Sequence, residues 1–426
     1  MDVNDTALLD AVELLKLFAS GELTPLQALQ GVTERIARRN PEINAFAAMN
    51  PASLAAARES TLRWQAGQAR ALEGLPVTVS DLVDVAGLPT RRGSKTTEAA
   101  PIGRDAPLVA VLRAAGAVII GKTNVSEFGW KYQGDSPLYG ITRNPWNSFY
   151  SAGGPSGGAA AAAAGFFGPL HIADGNVCVA AAWTGVVGLK LGTRAENQGI
   201  IARSSADVAL LSSVLRGGAA LDSFAGAVSG LKIGILHRPG FAAPASESAW
   251  SAINAAKSLL AEQGVLFSNV AVDVPEIETV FTDIWGQKCL RDLKLISADQ
   301  YVLLDPALAS LSTRLEAKAM IDPERPAITQ AQAEHLIAGL DVDLLLCPAV
   351  PHAAPLADTQ ISDPISALRQ DWAPWTMLFN LTGQAALTLP VGVAPDGLPM
   401  AVQIAAKSAD NQLILRVARA LEQGLA

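Results

Sequence analysis

The chain has little charge, few aromatic rings and very little sulfur. Charged residues make up 17% of its 426 positions and aromatics 5%, whereas half of the sequence is hydrophobic. That balance excludes long disordered tails and points to a large buried core. Basic residues are outnumbered, 32 Lys and Arg against 40 Asp and Glu. The formal net charge of -8 argues against the basic patch that nucleic acid or an anionic membrane surface requires. Histidine is scarce too: His171, His237, His335 and His352 are all there is, and none falls in an HExxH or paired-ligand spacing, so no metal is expected. Cys178, Cys289 and Cys347 stand far apart. An odd, sparse count fits buried free thiols in a reducing cytoplasm.

Long apolar runs are missing as well. The most apolar stretch, residues 159–170, is rich in Ala and Gly and too short to cross a bilayer. The opening residues, Met1 to Asp5, carry neither the basic start nor the apolar run of a signal peptide.

What is present is a helical start followed by alternation. Leu8, Val12 and Leu15 share one helix face, and Gly21 is placed to end that helix. Thr24-Pro25 reads as the N-cap and first turn of a second helix, and a third is expected over 51–66. From about Gly74, short apolar strands (77–79, 118–120, 233–236, 344–347, 387–390, 402–405) alternate with helices such as 107–115 and 206–215. A last helix spans 411–422. This order predicts an α/β fold with a largely parallel or mixed sheet covered on both faces. With no repeat and no linker rich in Pro, Gly or Ser, one domain over 1–426 is expected, the helices of 1–70 packing on it.

The densest signal lies in 151–190. Gly153, Gly154, Gly157 and Gly158 permit close backbone approach, and six alanines, Ala159 to Ala164, continue as a helix former. A Gly-rich loop feeding a helix N-terminus concentrates oriented N–H groups suited to an anion or oxyanion. Tight packing is the equally available reading of the same pattern.

Further motifs lie in order along nearly the whole chain: Gly74-Leu75-Pro76 through Val79-Ser80-Asp81, Gly121-Lys122-Thr123-Asn124, Arg143-Asn144-Pro145-Trp146, Gly185-Val186-Val187-Gly188-Leu189-Lys190 and 376–384. Together with the Gly-rich loop they resemble the amidase-signature family. The resemblance implies a mixed central β-sheet covered by helices on both faces, and amide hydrolysis through a Ser–cis-Ser–Lys triad. In that scheme a neutral Lys takes a proton from a bridging Ser, which activates a second Ser for attack, with backbone N–H groups holding the oxyanion.

Here the three matching positions hold Ser80, Pro155 and Asn176. A serine hydroxyl is a poor base, a proline relays no proton, and a carboxamide forms no acyl-enzyme. The stretch from Pro155 to Asn176 is also shorter than the family pattern, as is the segment 191–199 after Lys190. Proline at 155 predicts that the cis bond is kept, because the cis penalty falls to about 0.5–1 kcal/mol before proline.

The expectation drawn from these replacements is a homologue that has lost the amidase chemistry. It would keep a cleft built from Ser80, Gly153, Gly154, Pro155, Ser156, Gly175 and Asn176 for an amide-like small molecule or a protein partner. The alternative is an active hydrolase or acyl-transfer enzyme on an amide or ester, using a re-purposed site drawn from Ser156, Cys178, His171 or Asp174. Against these roles stand a helix-capping Ser156, an inert buried Cys178 with no Lys or His beside it, a surface His171 and a turn-forming Asp174. Asp81, Arg143 and Lys190 are expected to fix neighbouring backbone, and Trp372 and Trp375 to line a pocket mouth or pack in the core. Neither reading needs a cofactor or metal, nucleic acid or a membrane, and a homo-oligomer fits both.

Overall fold

The N-terminal helices form where the sequence supplies their ends. Helix Ala11–Ser20 is closed by Gly21, left-handed at φ 77°, whose amide bonds to the Phe18 carbonyl. Helix Pro25–Ile43 begins in a reciprocal box in which Thr24 Oγ1 accepts from the Gln27 amide while Gln27 Oε1 accepts from the Thr24 amide. A third helix covers Ser53–Gln65. The computed structural model describes residues 3–174, 177–192, 198–218, 224, 226–239, 244–274, 276–317, 324–359, 372–407 and 411–425.

Fifteen strands are seen among the described residues: β1 Phe46–Met49, β2 Pro76–Ser80, β3 Val118–Thr123, β4 Asp135–Ser136, β5 Gly140–Ile141, β6 Arg143–Asn144, β7 Asn147–Ser151, β8 Leu170–Asp174, β9 Val187–Lys190, β10 Gln198–Ala202, β11 Lys232–Leu236, β12 Leu266–Val270, β13 Leu344–Pro348, β14 Ala386–Val393 and β15 Pro399–Ala406. β4–β5 and β6–β7 are small hairpins, and the other eleven join one sheet in the order β1-β3-β2-β8-β10-β9-β14-β15-β13-β11-β12. β2 runs parallel to β3 and β8, and β11 parallel to β12 and β13; the remaining pairs are antiparallel. The sheet is therefore mixed, with two parallel blocks joined through an antiparallel centre.

Side chains alternate across such a sheet, so each strand has two environments. On one face Val77, Val79, Ile172, Ile200, Leu189, Leu387, Leu389, Val402 and Ile404 join a single core with helices Ala11–Ser20, Pro107–Ala114, Ser205–Leu215, Glu247–Glu262 and Asn411–Leu425. On the other face, Ala173 and Ile201 pack with the two Ala-rich helices Gly157–Ala164 and Val177–Thr184. Burial on both faces explains why these strands read as continuous apolar runs. Among the described residues no helix is long and apolar enough to cross a membrane; the 159–170 stretch divides between a short helix and the start of β8.

Candidate functional site

Ser80 closes β2 and lies opposite Thr123 of the parallel neighbour β3. Its hydroxyl is fully buried and accepts from the Leu82 amide at 3.3 Å, which ties it to the turn that follows. The next residue, Asp81, accepts from the amides of Arg91 and Gly93 and pairs with Lys122 Nζ at 3.3 Å, so it organises backbone as its position suggested. Lys122 pairs with Val79 in the register, one residue off Ser80. Its ammonium is held by the Pro89 carbonyl and Thr90 Oγ1. Burial pushes the Asp81 carboxyl up and the Lys122 ammonium down, against their mutual attraction.

The Gly154–Pro155 peptide is cis. Pro155 lies close to the turn after Ser80: a Cβ on Gly129 would stand 2.9 Å from Leu82 Cδ1 and 3.3 Å from Pro155 Cβ, so Gly129 is the spacer between them. The Gly-rich loop is packed on every side. A Cβ on Gly153 would meet the Trp183 ring at 2.7 Å, one on Gly154 the Lys131 and Gln133 carbonyls at 2.9 and 3.0 Å, and one on Gly158 would collide with the Asn124 carbonyl. Close packing accounts for these glycines directly. Ser156 is buried at the N-cap of helix Gly157–Ala164, but its side chain makes no capping bond. The expected capping role is thus not observed.

The remaining sequence candidates separate. His171 is not at the surface: it is fully buried, with Nε2 donating to the Gly168 carbonyl (3.0 Å) and Nδ1 accepting from Thr78 Oγ1 (2.7 Å), the tautomer that the carbonyl requires. Burial first, and Arg203 second, push its pKa down to about 3. A ring bonded at both nitrogens and uncharged at neutral pH is a structural tie between β2 and β8. Cys178 is likewise fully buried, and burial pushes its thiol up. It does have a basic neighbour, contrary to expectation. The Lys190 ammonium, donating to the Gln384 carbonyl at 2.6 Å, is close enough to act on the thiol electrostatically. Burial brings Lys190 down to about 8. Asp174 ends β8, and its side chain lies outside the described residues, as do Gly175 and Asn176. Arg143 fixes the Ser148 carbonyl and pairs with Asp358. Trp375 is a core residue bonded to the Leu236 carbonyl, whereas Trp372 meets Trp183 edge-on.

An ion cluster beside the loop was not expected from the sequence. The Lys131–Gln133 segment that touches Gly154 also lines an open pocket of about 520 Å³, with Asp135, Asp305, Ala357 and Thr359 around it. Lys131 Nζ bridges Asp135 (2.8 Å) and Asp305 (2.7 Å). Behind it Glu127, buried and bonded to Ser94 Oγ and the Asp305 amide, is pushed up to about 7 by burial. Only the four-residue spacing of Lys131 and Asp135 hinted at this in the sequence, since Asp305 comes from a distant segment.

With this architecture in view, the sequence profile of the family described as Amidase matches residues 27–415. The chain belongs to the amidase family. This amidase-family chain is 28% identical to a glutamyl-tRNA(Gln) amidotransferase subunit of Streptomyces coelicolor over 487 aligned positions, covering 99% of the chain and 96% of the relative. An alignment longer than the chain requires segments in the relative that are absent here. Among solved structures, 6-aminohexanoate cyclic dimer hydrolase complexed with substrate superposes with a TM-score of 0.85 at 25% identity, covering 100% of this chain and 98% of that one. A bacterial aryl acylamidase of the amidase-signature family superposes at 0.87 with 22% identity, over 98% and 96% of the two chains, and supports the fold alone. The α/β amidase-signature fold with a mixed sheet flanked by helices is therefore established. The expectation that amidase chemistry has been lost is overturned: the relatives matching this amidase-family chain from end to end are named as part of an amidotransferase and as a hydrolase with its substrate.

Proposed function

We propose that the chain is an active hydrolase or acyl-transfer enzyme acting on an amide or ester, with its chemistry carried by a serine beside the family's usual positions. The observation behind this reading is the family match over residues 27–415 combined with a Gly-rich loop at 153–158. Ser156 is the residue assigned as nucleophile. It follows Pro155 directly and stands at a helix N-terminus. Attack by Ser156 Oγ on the carbonyl carbon would break the C–N or C–O bond, release the amine or alcohol with the serine proton, and leave an acyl ester for water or another acceptor to cleave. Cys178 is set aside because burial disfavours its thiolate, and His171 because both nitrogens are occupied. A protein partner fits this reading, since a relative is named as one subunit of an amidotransferase.

The test is turnover of a panel of simple amides and esters together with fluorophosphonate labelling mapped by mass spectrometry. Labelling at Ser156, and loss of both label and turnover in Ser156→Ala, are expected. Ser80→Ala should retain most turnover. A chain inert to the panel and to the probe refutes the proposal.

A further inference from the structure

The C-terminal helix Asn411–Leu425 buries Ile414, Leu415, Val417, Ala418 and Leu421 in the core that also holds Leu387, Leu389, Val402 and Ile404. Its other side carries Arg416, Arg419 and Gln423. With Gly226, Ser229 and Gln263 these residues line an open pocket of about 400 Å³. Arg416 and Arg419 are three residues apart and therefore neighbours on one helix face. Among the described residues no carboxylate lines the pocket, and neither guanidinium has a salt-bridge partner.

The Arg416 Nε is buried and has no hydrogen-bond acceptor among the described residues. Buried N–H groups nearly always find one, and an unpaired charged donor is costly. Gly226 lies against the same guanidinium: a Cβ there would stand 3.2 Å from Nε and 3.4 Å from Cζ, so any larger residue would crowd the group. Gln263 fixes the wall by donating from Nε2 to the Ala420 carbonyl at 3.0 Å. A concave site with two unpaired guanidinium groups, an orphaned donor and, among the described residues, no competing carboxylate is complementary to an oxyanion, which a guanidinium recognises through paired N–H bonds.

We infer that this pocket binds a small oxyanion, the phosphate or carboxylate group of a metabolite. It lies across the sheet from the Gly-rich loop. Leu387, Leu389, Val402 and Ile404 face the C-terminal helix, whereas Ala401 packs with Ala182 and Thr388 and Gln403 lie against Cys178. The inference is independent of which residue performs the amide chemistry.

Isothermal titration of the full chain with inorganic phosphate, and separately with citrate, tests it. Saturable binding of at least one is expected, weakened about tenfold or more by Arg416→Gln and lost in Arg416→Gln/Arg419→Gln. Gln423→Glu, which sets a carboxylate one turn from Arg419, should also weaken binding while leaving far-UV circular dichroism and Tm unchanged. Arg58→Gln, an exposed arginine on helix Ser53–Gln65, should bind as the parent does. Stronger binding of phosphate marks a phosphoryl ligand, and stronger binding of citrate marks a carboxylate. Absence of saturable binding to both anions, or full-strength binding in the double variant and in Gln423→Glu, overturns the inference.

Discussion

Glu127 accepts from Ser94 Oγ at 2.6 Å and from the Asp305 amide at 2.7 Å, yet burial still lifts its pKa from 4.5 to about 7. The folded carboxyl therefore holds its proton over a range in which the unfolded one has released it. Folding takes up a proton there, so this group's contribution to stability is fully present below about pH 4.5 and is lost as pH rises through about 7. Asp207 adds to the same trend. It caps helix Ala11–Ser20 by accepting from the Ala11 and Val12 amides and is raised to about 7, with burial as the main cause. Glu127→Gln is expected to match the parent at pH 5 and to gain in Tm over it at pH 8, measured by thermal melts at both values. Equal Tm differences at the two pH values would refute the assignment.

At the scale of the element, two predictions concern how segments begin and how closely they approach. Thr24→Ala removes one side of the box that starts helix Pro25–Ile43 and should cost about 1 kcal/mol in urea unfolding, with an unchanged m-value. Gly134→Ala would drive a Cβ into the Gly153 carbonyl, a backbone group that has no room to yield. It is expected to lower ester turnover by a larger factor than Thr24→Ala at matched stability, read by comparing kcat/KM with Tm for both variants. The same elements show what the sequence could reveal. The strands with β-branched or leucine runs, β2, β3, β11, β13, β14 and β15, were legible, as were the caps at Gly21 and Thr24. β8, β9, β10 and helix Val177–Thr184 were not. The apolar runs of these strands are short and broken, by His171 in β8, Gly188 in β9 and Gly199 in β10, and the short helix is apolar on every face, so neither a run nor a period of 2 or 3.6 marks them. The strand that ends at Ser80 and the cis bond before Pro155 were legible from the local motifs around them. The surroundings of His171 and Cys178 were not, since Thr78, Gly168 and Lys190 reach them only through strand pairing and packing.

Across the whole molecule the three thiols report on different regions. Cys178 lies among the Ala-rich helices, Cys347 on strand β13, and Cys289 in a helical cluster with Trp130, Leu293, Leu304 and Leu308. Burial raises all three, Cys289 to about 12. The native chain is expected to give no reaction with a disulfide reagent over minutes, and three equivalents in guanidinium chloride. In rising denaturant Cys289 should react first, because its cluster contains no strand of the main sheet. Simultaneous release of all three would mean that this helical layer and the sheet melt as one unit.

Because β14 and β15 stand as a wall between the loop at 153–158 and the arginines near the C-terminus, the two lie on opposite faces of the sheet. A dye, a surface linker or a fused domain attached around Gln423 is therefore expected to leave the packing around that loop untouched.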